Sequence, residues 1–268
     1  MTQIARVLII AGSDSGGGAG IQADIKTATA LGAYAMTAIT AVTVQDTTGV
    51  HAFHTVPPDI VAGQIRVVLS DIGADAIKTG MMASAEIVET VVDALTPYAA
   101  IPLVVDTVMI AKGGSSLVDD SGVEAMKRLL IPRATLITPN APEAARLTGL
   151  QVETPDDLVR AGKKLMEQGA RAVLVKGGHL AGDHVTDVLV DSTGVHLFRT
   201  RRIETTSTHG TGCTLATAIA AGLAQGLSLE DAVARARNYL QDALRGGLAL
   251  GHGTGPLNHM HAIPPYEA

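Results

Sequence analysis

Residues 6 to 32 read RVLIIAGSDSGGGAGIQADIKTATALG, and the order of textures within them decides the fold. An unbroken aliphatic run, VLII, stops in a cluster of glycines and serines and gives way to apolar residues spaced three to four apart. A continuous apolar run predicts a strand buried on both faces, and the spacing that follows predicts a helix packed against it. The unit recurs along the chain. Strands are predicted at 75–80, 102–109, 135–140 and 171–178, over DAIKTG, PLVVDTVM, TLITPN and RAVLVKGG, with helices at 57–72, 84–98, 121–130 and 154–169. The last helix opens with Thr154 as N-cap and Pro155 in its first turn and closes at Gly169. Alternating strand and helix predicts an α/β fold with a mainly parallel, doubly wound sheet and helices on both faces. Two pairs of runs, 35–45 with 50–56 and 185–191 with 195–203, are too close together for a crossover and predict hairpins added to that sheet. No linker, repeat or low-complexity tract divides the chain, so one domain is expected over 1–268.

Composition narrows the class. Apolar residues make up 47% of the 268, but there is no Trp and there are only two Phe, so the core is aliphatic. The net charge of −6 is spread along the chain and offers no footprint for nucleic acid or an anionic membrane. A single cysteine cannot form an internal disulfide, and the nine histidines fall into no zinc-binding spacing. The N-terminal apolar run VLII is too short for a signal-peptide core, and nowhere do about 18 uninterrupted apolar residues occur. A reduced, cytoplasmic protein is expected.

The glycine cluster at 12–20 invites comparison with nucleotide-binding loops, but it lacks the Lys-Ser or Lys-Thr of a P-loop, and Ile21 stands where a dinucleotide fingerprint needs glycine. The remaining readings are a tight turn, or a loop whose glycines, Gly12 among them, let backbone approach a small ligand at the carboxyl end of the first strand. Asp24, in the helix beyond, is either a charge complementing the helix dipole or a ligand for polar groups of a substrate. Asp106 closes an apolar strand, where burial of a carboxylate is costly unless it is paired or faces a site. Lys176 ends another strand and either snorkels to water or supplies a matching cation. Asn140 and Glu143 have the spacing of a capping box, which explains both residue types; beside a phosphate site the same pair could hold Mg²⁺ through water.

The only cysteine lies in THGTGC, residues 208–213, where a glycine-rich turn runs into the helix TLATAIAAGLAQG. Thr211, Gly212, Cys213 and Thr214 are expected to present unpaired N–H groups at the helix start, an anion site reinforced by the helix dipole. The same position is expected to lower the Cys213 thiol towards thiolate. A small buried residue at a tight helix entry is the plainer alternative.

Taken together, IAGSDSGGGAGIQADIKT, VTVQDTTGV, IKTGMM, VVDTVMIAKGG, LITPNAPEAARLTG, VLVKGGH and THGTGCTLATAIAAG resemble, in order and spacing, the bacterial hydroxymethylpyrimidine and phosphomethylpyrimidine kinases of the ribokinase-like superfamily, from about residue 4 to GHGTGPLNH near the C-terminus. The resemblance implies a ribokinase-like three-layer sandwich and an ATP- and Mg²⁺-dependent kinase that phosphorylates 4-amino-5-hydroxymethyl-2-methylpyrimidine and then its monophosphate for thiamine biosynthesis. It implies a pyrimidine pocket formed by Gly12, Asp24, Gln45, Met81 and Val108, a metal and phosphate region at Asp106 and Glu143, and nucleotide contacts from Asn140, Lys176, Thr208 and Thr211. It further implies an anion hole at Gly210 and Gly212, with Cys213 in the place of the superfamily's usual aspartate base and Lys176 assisting transfer, and a homodimer. The nearest rival is a pyridoxal kinase, against which the flap sequence IAKGGSS, lacking a cysteine, argues. A non-catalytic ligand-binding regulator and a cysteine hydrolase using His209 are the rivals from other classes.

Overall fold

The protein is described by a computed structural model over residues 4–110 and 117–264. Its elements begin with β1 (Arg6–Ser13), α1 (Gly20–Ala30), the hairpin β2 (Tyr34–Gln45) and β3 (Val50–Thr55), α2 (Pro58–Asp71), β4 (Ala76–Thr79) and α3 (Ala85–Leu95). They continue through β5 (Leu103–Val105), α4 (Asp120–Ala125), β6 (Leu136–Ile137), α5 (Ala141–Thr148), α6 (Pro155–Glu167) and β7 (Val173–Val175). The hairpin β8 (His184–Asp191) and β9 (Gly194–Arg201) and the helices α7 (Thr211–Ala224) and α8 (Leu229–Arg245) complete the order. All nine strands join one sheet in the order β3-β2-β1-β4-β5-β6-β7-β8-β9. The six strands from β2 to β7 are parallel, and the antiparallel β3, β8 and β9 extend the two edges.

Strand pleating sorts each aliphatic run between two layers. Leu8 and Ile10 pack with Ile65 of α2, Val91 of α3 and Leu158 of α6. Val7 and Ile9 face the other way, against Ile21 of α1, Leu215 and Ile219 of α7 and Val233 of α8. Both faces of the central strands are therefore covered, which is why their sequences do not alternate.

Several strands are shorter than their apolar runs. β5 stops at Val105, although Met109 is still fully buried, because the chain leaves the ladder at Asp106 to line the ligand end of the sheet. Apolarity reports burial, not strand pairing. The helix expected over 121–130 is regular only to Ala125; it widens into a π turn at Met126–Leu130 and a 3₁₀ turn at Ile131–Arg133, where Pro132 has no N–H to give. The long helix α8 was not anticipated, despite a side-chain cap in which Ser228 accepts the Asp231 N–H.

One buried ion pair ties this frame to the site. Asp187 on β8 accepts the Gly177 N–H at 2.8 Å through Oδ1 and the Arg237 Nε–H of α8 at 2.7 Å through Oδ2. Gly177 directly follows Lys176, so the pair anchors the turn that carries the lysine. A side chain at Gly177 has no room, since its Cβ would lie 2.0 Å from the Thr186 carbonyl oxygen. Asp187→Ala, which strands the Arg237 charge in the interior, is expected to cost about 3–5 kcal/mol in urea unfolding, with most of that loss recovered in the double variant Asp187→Leu/Arg237→Met.

Candidate active site

The carboxyl ends of β1, β4, β5, β6 and β7 surround a cavity of about 430 Å³, where open α/β sheets bind their ligands. The structure brings to its wall Gly12, Gln45, Met81 and Val108, then Asp106, Asn140, Glu143 and Lys176, and finally Thr208, Gly210, Thr211, Gly212 and Cys213. Asp24 is the exception. Its side chain is wholly buried behind the wall, where it accepts from Lys78 Nζ at 2.8 Å and from Thr217 Oγ1 at 2.7 Å. Both carboxylate oxygens are engaged inside the protein, so the expected direct contact of Asp24 with a substrate is not available.

Two glycine-rich turns meet over the cavity. Gly210 has φ +84°, and a Cβ there would fall 1.9 Å from the Gly18 carbonyl oxygen; a Cβ on Gly18 would in turn lie 2.4 Å from the His209 ring. Backbone lies directly on backbone. Asp14 locks the arrangement: Oδ1 accepts the Gly16 N–H at 2.8 Å, and Oδ2 accepts the N–H groups of Gly18 at 3.0 Å and Ala19 at 2.8 Å and meets His209 Nε2 at 3.0 Å. Burial works to raise the Asp14 carboxyl, but the His209 hydrogen bond and the Ala19 and Gly16 N–H groups outweigh it and hold the group below its ordinary value. Gln45 Nε2 lies 3.3 Å from the same His209 nitrogen, so Gln45 packs against the clamp. His209 Nε2 is therefore committed to the loop, which disfavours it as the base of a cysteine hydrolase.

The α7 N-terminus sits on a second charged group. A Cβ added to Gly212 would be 3.4 Å from both Asp106 Oδ2 and Lys176 Nζ, and Lys176 Nζ donates to Asp106 Oδ1 at 3.2 Å. Lys176 is delivered by backbone pairing, its N–H donating at 2.8 Å to the Pro139 carbonyl beside Asn140. Burial alone would depress its ammonium, but Asp106 and Glu143 outweigh burial and leave it raised, hence charged. Asn140 and Glu143 form the full capping box: Asn140 Oδ1 accepts the Glu143 N–H at 2.9 Å, and Glu143 Oε2 accepts the Asn140 N–H at 2.8 Å and the Thr107 hydroxyl at 3.0 Å. Burial and the nearby Asp106 raise the Glu143 carboxyl, against the pull of Lys176. Of the expected N–H groups, Thr214 is already spent, donating to the Gly210 carbonyl at 2.9 Å; Thr211, Gly212 and Cys213 remain at the helix start.

Cys213 departs from expectation. Part of the residue is open to the cavity, yet the protein packed round its thiol pushes the pKa up to about 12; Asp24 and Asp106 add to this, and Lys78 and the Gly20 N–H only partly offset it. The helix start does not win. Desolvation and two carboxylates exceed a dipole whose effect on a side chain is of order 0.3–1 kcal/mol.

A Mg²⁺ ion suits one feature of the wall. Asp106 Oδ2 is buried and has no hydrogen-bond partner, an orphaned anionic oxygen of the kind a hard cation takes. No cluster of three His, Cys, Asp or Glu side chains able to hold a metal occurs among the described residues. Sequence reading overlooked Asp14 and Lys78, and considered His209 only as the partner of the thiol in a hydrolase. The signals were present, an acidic residue inside a glycine loop and a lysine inside an apolar strand. The flap sequence IAKGGSS lies mostly at 111–116, outside the described residues.

The chain as a whole has counterparts among known proteins. The family model for phosphomethylpyrimidine kinase matches residues 14–258. The chain belongs to that family. It is 49% identical over 257 residues to the hydroxymethylpyrimidine/phosphomethylpyrimidine kinase of Streptomyces coelicolor, covering 96% of this chain and 95% of the relative. It is 51% identical over 257 residues to a thiamine biosynthesis bifunctional protein of Geobacter sulfurreducens, of which it spans about half, 52%. The solved ADP complex of Bacillus subtilis pyridoxal kinase superposes with a TM-score of 0.90 at 34% identity, over 97% of this chain and 98% of that one. The fold is thus the ribokinase-like sandwich expected.

The Asp14 clamp makes a checkable contribution to stability. A carboxyl depressed by folding contributes stability that is complete above its unfolded value, near 3.8, and is lost as pH falls through the lower folded value. In urea unfolding, Asp14→Asn is expected to be less stable than the parent protein at pH 7 and to converge on it as the pH drops below 3.8.

Proposed function

We propose that this protein is an ATP-dependent kinase that phosphorylates 4-amino-5-hydroxymethyl-2-methylpyrimidine and then its monophosphate, acting as one domain. The observation that carries this reading is the meeting, in one cavity, of the α7 N-terminus with the Lys176–Asp106 pair and with Gln45, Met81 and Val108. The first two suit a phosphoryl group and the others suit a flat, amide-like heterocycle.

Transfer through a loose transition state depends on positioning and on neutralising charge spread over the phosphoryl oxygens. The N–H groups of Thr211, Gly212 and Cys213 point positive dipole ends at that charge, and Lys176 adds a full charge beside them. Gln45 offers an amide to the ring nitrogen and exocyclic amine of the pyrimidine, while Met81 and Val108 face its apolar surfaces. Gly12 keeps this wall thin, since a Cβ there would sit 3.2 Å from Met81 Sδ. Asn140, Thr208 and Thr211 are assigned to the nucleotide. Asp106 and Glu143 would hold Mg²⁺, which would neutralise phosphate charge. Cys213, protonated in the free protein, shapes the turn and does not act as a strong base.

Pyridoxal phosphorylation is favoured by fold similarity alone, and the relatives of higher identity carry the pyrimidine name. A homodimer is part of the same proposal, for which Val42 and Val44, exposed on one face of β2, provide apolar contacts. A cytoplasmic location accords with the described helices, none of which is long and apolar enough to cross a membrane.

Product analysis with ATP and the hydroxymethylpyrimidine is expected to show the monophosphate first and the pyrophosphate later, with kcat/KM for pyridoxal at least about tenfold lower, the discrimination expected from a few hydrogen bonds. Pyridoxal as the better substrate would overturn the assignment. In single-turnover transfer, Cys213→Ser is expected to stay within about tenfold of the parent protein with an unchanged pH profile between 7 and 9; a loss of about 10²-fold or more would restore the thiol as base.

A further inference from the structure

Among the described residues Lys78 is the largest side chain with no exposure at all, a cation in the middle of the apolar strand AIKT of β4. It lies at the floor of the cavity, where Gly80 leaves it space: a Cβ on Gly80 would stand 3.0 Å from Lys78 Nζ. One hydrogen bond, 2.8 Å to Asp24 Oδ2, is its ion-pair contact, and Asp24 Oδ1 is held by Thr217, one turn along α7 from Cys213. The pair thus bridges β4, α1 and the helix whose start forms the anion turn. Buried ion pairs are generally no more stabilising than apolar residues of the same volume, so stability does not explain this one.

We propose that Lys78 and Asp24 are positioning residues for phosphoryl transfer, a buried charge pair under the Gly210–Cys213 turn that sets how much negative charge the turn accepts. The ammonium supplies positive potential from beneath the helix start, and Asp24 fixes where it sits and tempers its strength. Four charged groups from four segments act on the turn: Lys78 of β4, Asp24 of α1, Asp106 after β5 and Lys176 after β7. Lys78 is held charged against its own burial chiefly by Asp24. This role rests on the kinase reading, but the potential itself can be measured without it.

Cys213, the only cysteine, is a built-in reporter at the turn. At pH 8 its alkylation by iodoacetamide is expected to slow about tenfold in Lys78→Met, the equivalent of one pKa unit, to change little in Lys78→Arg, and to accelerate in Asp24→Asn. Opposite directions for the two single variants would not arise from loosened packing, which speeds both. The double variant Lys78→Met/Asp24→Leu removes the pair without stranding a charge and is expected to keep its thermal midpoint within a few degrees while kcat falls about tenfold or more with both KM values little changed. Alkylation of Lys78→Met as fast as the parent protein, or a folded double variant with full kcat, would overturn the proposal. Absence of kinase activity in the parent protein would count against the kinase reading and leave the alkylation result standing.

Discussion

The site depends on one contact without side chains, the backbone of Gly210 lying on the carbonyl of Gly18. Where a Cβ would sit 1.9 Å from an oxygen, only glycine lets the chains touch, and the positive φ of Gly210 excludes other residues for a second reason. Asp14 and His209 then fasten the contact with charge-assisted hydrogen bonds. Everything that follows, the aim of the α7 N–H groups, the closeness of Gly212 to Asp106 and Lys176, and the depth of the floor over Lys78, is set by how closely these turns approach. The C-terminal segment reinforces the join, with the Gly255 carbonyl accepting the His209 N–H at 3.0 Å.

Around that contact the protein gathers buried charge. Asp14, Asp24, Asp106, Glu143, Lys78 and Lys176 are all withdrawn from water, each at a cost its partners must offset. The arrangement is economical for a kinase: carboxylates and lysines already desolvated and fixed need little reorganisation when a phosphoryl group arrives, and they act in a medium that screens them weakly. One group is left incomplete, the orphaned Oδ2 of Asp106, which suits a cation brought with the nucleotide.

Much of this was readable in the chain. Unbroken aliphatic runs before small polar residues located the parallel strands, and two close-spaced pairs located the edge hairpins. Asn140 and Glu143 were readable as a cap and as a phosphate-side pair; they form the cap, and they also line the cavity. Less readable were features that depend on distant partners. Asp24 is acidic and close in sequence to the glycine loop, but Lys78, 54 residues away, turns its carboxylate inward. Cys213 stands at a helix start, which by itself favours thiolate, but the helix is packed against Asp24 and Asp106.

The sequence by itself therefore determined the layers, the order of the strands' textures, the family and the end of the sheet at which the site lies, because hydrophobic periodicity and glycine-rich turns are local signals. Only the tertiary structure decided the electrostatics: which carboxylate faces the cavity, which lysine is paired with it, and whether the thiol carries charge. Those outcomes are sums of desolvation and Coulomb interactions among groups brought together from across the chain, and at separations of a few ångströms such sums exceed any bias that immediate neighbours in sequence can impose.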